Sequence, residues 1–286
     1  MEIDLYRDWV AHLRTELAAF GYDTTQMQSP EAVVHTFLNL TKRLVRPTPR
    51  VVLKTRTFSC PNDLLPGLSA VEQKITAGED ISPYLSRLLR NPSFNDPLLN
   101  DWGIHHVHLG TTLDQDGFVN RTGPVLFARF DNANAYFIDV LPHGSWSLQR
   151  LVKDLHDNWP DSIKRFRLNG VLALSTTVSD KDVATLRKGN VNTMVDLGDG
   201  IVYAPIGGGY ATSGLSTEVV IQSDRCAMRL RQMQQAIIDN ISSIASEAKG
   251  KGLSFPDSPR FELQIDNGSL YAVEINCMVA VPLGEL

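Results

Sequence analysis

Between Trp102 and Leu141 the apolar residues change from the three-and-four spacing of a helix to alternation, and this change constrains the fold more than any other feature. Runs from Ile104 to Leu109, Pro124 to Phe130 and Tyr136 to Leu141 are separated by DQDG and DNANA, both of turn composition. Three short strands joined by tight turns pair with their sequence neighbours, so an antiparallel meander is expected here.

Helical spacing precedes and follows it. Leu5, Trp9, Leu13 and Leu17 share a face that Gly21 ends. Ser29 before Pro30 reads as an N-cap with proline in the first turn, and Val34, Phe37, Leu38, Thr41 and Leu44 carry the next face. The two helices are expected to pack as a hairpin. Pro47 to Gly78 reads as loop-rich, a short helix starts at Ser82, and another opens at Ser147 and stops at Pro160. Further on, VLALST, IVYAP, TEVVIQ, RFELQI and LYAVEI read as strands. Ser179 with Asp182 forms a capping box, and a long helix is expected from Ser223 to about Lys249. The expectation is an α+β protein of three parts: a helical hairpin over 1–46, an α+β unit over 47–164, and over 165–286 a second α+β unit with one long helix on a sheet.

A chain of 286 residues, 43% apolar and 21% charged, can bury a substantial core. No run is long and apolar enough to span a bilayer, and the first residues lack a signal-peptide layout, so no membrane association and a cytoplasmic location are expected. Cys60, Cys226 and Cys277 lack paired spacing and read as free thiols. With a net charge of −5, nucleic-acid binding would need a local patch. Lys42, Arg43, Arg46, Arg50, Lys54 and Arg56 supply one without an intervening acid; the other reading is a solvated helix end running into a linker.

DWGIHHVHLG concentrates three of the seven histidines in one strand. Alternation puts His106 and His108 on one face and His105 on the other, with Val107 and Leu109. His143 follows in DVLPHG, and Asp139, four residues earlier, shares its face if the strand persists. Two imidazoles on a strand with a third nearby suit either of two chemistries. One is metal binding by His106, His108, Asp139 and His143. The other is metal-free RNA cleavage, in which imidazoles move protons and Arg121 and Arg129 stabilise the phosphorane charge. A structural reading, in which the rings only hydrogen-bond to neighbours, stands beside both. GGGYATSG at 207–214 offers backbone N–H groups to an anion or forms a flexible loop. Glu262 and Glu274 read as solvent-facing strand residues.

Residues 80–145, a helix, WGIHHVHL, a hairpin carrying Arg121, VLFARF and YFIDVL before His143, resemble RelE/ParE-type toxin ribonucleases in arrangement. In that family basic and histidine or tyrosine side chains on the sheet face cut RNA without metal. The resemblance implies phosphate-holding roles for Arg121 and Arg129 and acid/base roles for His106, His108 and His143. It covers under a quarter of the chain, which is longer, more acidic and richer in histidine than the family pattern. HVH with the later His143 also resembles the cupin metal motif, but no glutamate follows at the expected spacing.

The leading expectation is a histidine-dependent nuclease acting on RNA or single-stranded nucleic acid, as a toxin or defence effector. Its catalytic residues are His106, His108, His143 and Arg121, its substrate-binding residues are Arg129, Arg50 and Lys54, and it needs no cofactor. In this scheme His106 or His108 is the base and His143 the acid. The second unit then binds a protein partner or another copy. The alternatives are a metal-dependent hydrolase or cupin-like oxygenase holding a divalent ion, and a module that only binds a nucleotide, small ligand or protein.

Overall fold

The computed structural model describes all 286 residues and shows an α+β protein. The first half runs β1 (Glu2–Ile3), α1 (Leu5–Phe20), α2 (Pro30–Arg43), β2 (Val51–Lys54), α3 (Leu65–Ala77), α4 (Pro97–Trp102), β3 (His105–Val107), β4 (Pro124–Phe130) and β5 (Asn134–Pro142). Next come α5 (Arg150–Asn158), α6 (Pro160–Ile163), α7 (Asp180–Lys188), β6 (Val195–Asp196) and β7 (Val202–Tyr203). The chain ends with α8 (Thr217–Asp239), α9 (Ile241–Gly250), β8 (Arg260–Asp266), β9 (Ser269–Glu274) and β10 (Ala280–Gly284). No helix is long and apolar enough to cross a membrane.

Two compact units are present, and they do not follow boundaries at 46/47 and 164/165. The first joins Met1–Leu38 to Val220–Leu286. The reason is pairing between distant parts of the sequence: β1 runs parallel to β8, the Asp8 carboxylate accepts from the Leu263 N–H, and Gln234 Oε1 accepts from the Leu5 N–H. Leu5, Trp9, Val10, Leu13 and Leu17 of α1 are buried, and β8 is followed by the antiparallel β9 and β10. Glu274 is fully buried on β9, not solvent-facing, because its carboxylate accepts N–H groups from Arg260, Asn276 and Cys277.

The second unit, Asn39–Val219, contains the meander. Its sheet order is β2-β5-β4-β3, with β3, β4 and β5 antiparallel and a bulge between Phe127 and Ala128. β2 adds in parallel to β5, and with α3 it gives structure to a segment expected to be loop-rich. Ile104, Val125, Phe127, Ile138, Leu151, Val152 and Leu155 form the core beneath α5. Burying such side chains contributes about 1.5–3 kcal/mol each.

Two predicted strands are absent. Residues 171–176 form none, and Leu172 is 79% exposed. Thr217–Gln222 begins α8, because Val219, Ser223, Cys226 and Leu230 recur at helical spacing and are buried, and this outweighs the β-branched run Val219, Val220, Ile221. The long helix breaks at Asn240 into α8 and α9.

Candidate functional site

α4 aims β3 at the centre of the second unit. Asp96 Oδ1 accepts the Leu98 and Leu99 N–H groups as N-cap, Pro97 follows, and Gly103 ends the helix at φ 62°. A Cβ at Gly103 would stand 2.2 Å from Arg129 Nη1, so glycine is required there. β3 then pairs with β4, His106 opposite Phe127 and Val107 opposite Leu126. The strand ends at Val107; the His108 N–H donates to the Tyr84 carbonyl instead of to the ladder. At the far end of β5 the His143 N–H donates to the Gly123 carbonyl.

These connections gather three of the predicted rings. Ring centroids of His106 and His108 are 6.2 Å apart, of His106 and His143 6.5 Å, and of His108 and His143 6.1 Å. Trp146 touches two of them, at 4.7 Å from His106 and 4.8 Å from His143, and leans on Phe127 at 5.4 Å. Arg121 Nη2 approaches His143 Nε2 at 3.4 Å. The cluster spans interior to surface: His108 is buried, the His106 side chain is 13% exposed, and His143 is exposed.

Burial sets the charge of the inner rings. It pushes His108 down to about 4, reinforced by His106, Arg121 and His143. His106 is likewise lowered, first by burial, with Asp96 opposing and His143 and Arg121 adding to it. Both are therefore neutral near pH 7. The Thr122 N–H faces His108 Nδ1 at 3.4 Å, which places the ring proton on Nε2, a buried donor with no partner. Asp96 Oδ2 lies 3.9 Å from His106 Nδ1, beside a cavity of about 20 Å³ that Ser86, His105 and His106 help to line.

His105 points elsewhere, edge-on to Phe130 at 5.4 Å. Asp139 lies within β5, which ends at Pro142 before His143, and its side chain is engaged away from the rings. Its carboxylate accepts from the Ser59 and Val140 N–H groups and pairs with Arg150. No three His, Cys, Asp or Glu side chains converge as metal ligands do, so the expected four-ligand set is not assembled.

Of the expected substrate-binding residues, Arg129 and Arg50 are committed to backbone carbonyls, and Lys54 is in a surface ion pair. Arg129 donates to the carbonyls of Trp102, Gly103 and Ile206. Arg50 donates to those of Asp131, Arg46 and Thr48. Lys54 pairs with Glu72 at 2.7 Å and lies over Phe58. Arg43 is bonded to the Leu88 and Asn91 carbonyls, and Lys42 to the Gly207 carbonyl, Ser216 and Glu218, so Lys42, Arg43 and Arg50 turn inward while Arg46, Lys54 and Arg56 stay exposed. The glycine loop is a bracket, not an anion cradle: Gly207, Gly208, Gly209, Ala211 and Gly214 donate their N–H groups to backbone carbonyls and Tyr210 to Asn192.

Sequence reasoning missed Asp96, Thr122 and Trp146. Asp96 followed by Pro97 is a capping signature, a signal for a helix start and not for a site, and nothing local ties Thr122 or Trp146 to the histidines. The chain matches no family model, and neither a curated protein nor a solved structure is similar to it.

Proposed function

We propose that the second unit cleaves single-stranded RNA without a metal, using His106, His143 and Arg121 packed against the buried His108. The observation that supports this most is the gathering of three imidazoles around Trp146, two held neutral by burial and the exposed one beside a free-standing arginine. A neutral imidazole near pH 7 accepts a proton, and a charged guanidinium holds phosphate oxygens.

In the proposed reaction His106 takes the proton of a 2′-hydroxyl, and the 2′-oxygen forms a bond to phosphorus. Protonated His143 gives its proton to the departing 5′-oxygen as the phosphorus–oxygen bond breaks. The products are a 2′,3′-cyclic phosphate and a 5′-hydroxyl. Arg121 stabilises charge on the non-bridging oxygens, and half-buried Trp146 offers a surface on which a base stacks.

The test is to incubate a labelled RNA oligonucleotide and its 2′-deoxy counterpart with the protein in excess chelator. Cyclic-phosphate ends from the RNA alone, lost in His106→Ala and His143→Ala proteins that keep the wild-type Tm, are expected. Intact RNA, or undiminished cleavage by His106→Ala, rejects the assignment.

A further inference from the structure

Arg187, on the last turn of α7, is outside the imidazole cluster, yet the geometry points to it as a positioning residue for that cluster, an inference whose catalytic half rests on the cleavage reading. Its Nε and Nη2 both donate to Asp101 Oδ2, at 3.0 and 2.7 Å, and its guanidinium lies 4.3 Å from the centre of the Trp102 ring. Both partners are sealed, Arg187 at 5% and Asp101 at 1% exposure, and Asp101 Oδ1 is buried without a partner.

Such a pair is a poor way to gain stability. Stripping water from both charges costs much of what their attraction returns, and apolar residues of similar volume commonly serve the fold equally well. The third arm of the guanidinium has a different target: Nη1 donates to the Trp146 carbonyl. The Trp146 ring is the body against which His106 and His143 pack.

The same helix fixes the chain just beyond. The Gln149 N–H donates to Asp180 Oδ1 at 3.0 Å and its side chain to the Val178 carbonyl at 2.8 Å, while the capping box of Ser179 and Asp182 fixes the start of α7. Trp146 is thus held at its carbonyl by one end of α7, and Gln149 by the other. Asp101 is five residues before His106, so the ion pair also ties α7 to the helix that launches β3. Arg187 thereby sets the spacing of rings it never touches.

Two variants test this. Asp101→Leu/Arg187→Met removes both charges together and leaves no orphaned ion, and Arg187→Lys keeps the charge but lacks the three-armed fork. Imidazole titrations of His106 and His143 by ¹⁵N-resolved NMR, kcat and KM on the RNA, and Tm are measured for each. In a double variant that stays folded, both titrations are expected to move, and kcat to fall about tenfold or more while KM changes less than about twofold, because positioning acts on the transition state. Arg187→Lys should restore neither.

Wild-type titrations and wild-type kcat in a folded double variant overturn the inference, as does failure of both variants to fold, which would make the pair a requirement of the fold itself. The NMR readout separates the two claims. If the wild-type protein leaves RNA intact but the titrations still move, the positioning role stands and the cleavage reading falls.

Discussion

Acidification destabilises this protein in part through His105. Its ring stands edge-on to Phe130, and both ring nitrogens are sealed from solvent without a partner. Burial pushes its pKa down to about 4 from 6.5; Asp96 opposes the shift, and His106, Lys42 and Arg129 reinforce it. In the unfolded chain the ring takes a proton near its ordinary value, so below about pH 6.5 the unfolded state binds more protons than the native one. The stability gained by keeping the ring neutral is complete above that value and is lost as the pH falls through about 4. Between those limits the slope approaches about 1.4 kcal/mol per pH unit, so going from about pH 7 to about pH 5 removes about 2 kcal/mol through this residue alone. His108, also pushed down to about 4, adds a comparable loss. His105→Phe keeps an aromatic ring against Phe130 and deletes the titration. In urea unfolding at the two pH values, the wild-type protein should lose about 2 kcal/mol more than the variant. Equal losses in the two proteins would refute the argument that burial holds His105 neutral.

Two substitutions probe other parts of the structure. Gly103→Ala puts a Cβ at φ 62° and 2.2 Å from Arg129 Nη1, so it should displace that guanidinium from three carbonyls and cost about 2–4 kcal/mol in thermal unfolding; a loss under about 0.5 kcal/mol would contradict the geometry. Glu274→Gln takes the charge from a carboxylate that accepts three backbone N–H groups and is held down at about 2 despite its burial; it should cost about 1–3 kcal/mol near pH 7, and the deficit should shrink as acid protonates the wild-type carboxylate below its ordinary range toward about 2.

What could be read in advance follows the range of the forces involved. Caps act within four residues, so Gly21, Ser29 and the box at Ser179 and Asp182 announced helix ends the structure reproduces. Alternation with tight turns is nearly as local, and it gave β3, β4 and β5 in their observed order. Features set by distant partners were not legible. β2 looks like loop until β5 is there to receive it, and α1 looks like half of a hairpin until β8 appears 240 residues later. The basic stretch misled for the same reason. Lysine and arginine without neighbouring acids read as solvated, whereas Arg43 and Arg50 satisfy carbonyls of Leu88, Asn91 and Asp131, which no local pattern connects to them. Within the cluster, alternation brought His106 and His108 near each other, but extrapolating β5 past Pro142 carried the pattern of Asp139 on to His143, which lies beyond the strand.

The exposure gradient across the three rings bears directly on the proposed division of labour. Proton transfer in both directions within one turnover needs imidazoles in different protonation states at one pH, and identical environments would give them the same state. Here the difference comes from depth. His106 and His108 lose water on folding, which penalises their charged forms, and Arg121 adds repulsion to both. His143 lies past the end of β5 and is exposed. Moving the depth of a ring should therefore move its role. A substitution that opens the interior to water, such as Phe127→Ala beneath Trp146, should raise the His106 titration toward 6.5 and shift the acidic limb of the cleavage profile upward with it, because a base that is already protonated cannot accept the 2′-hydroxyl proton. If the limb stays in place while the NMR titration of His106 moves, His106 is not the base.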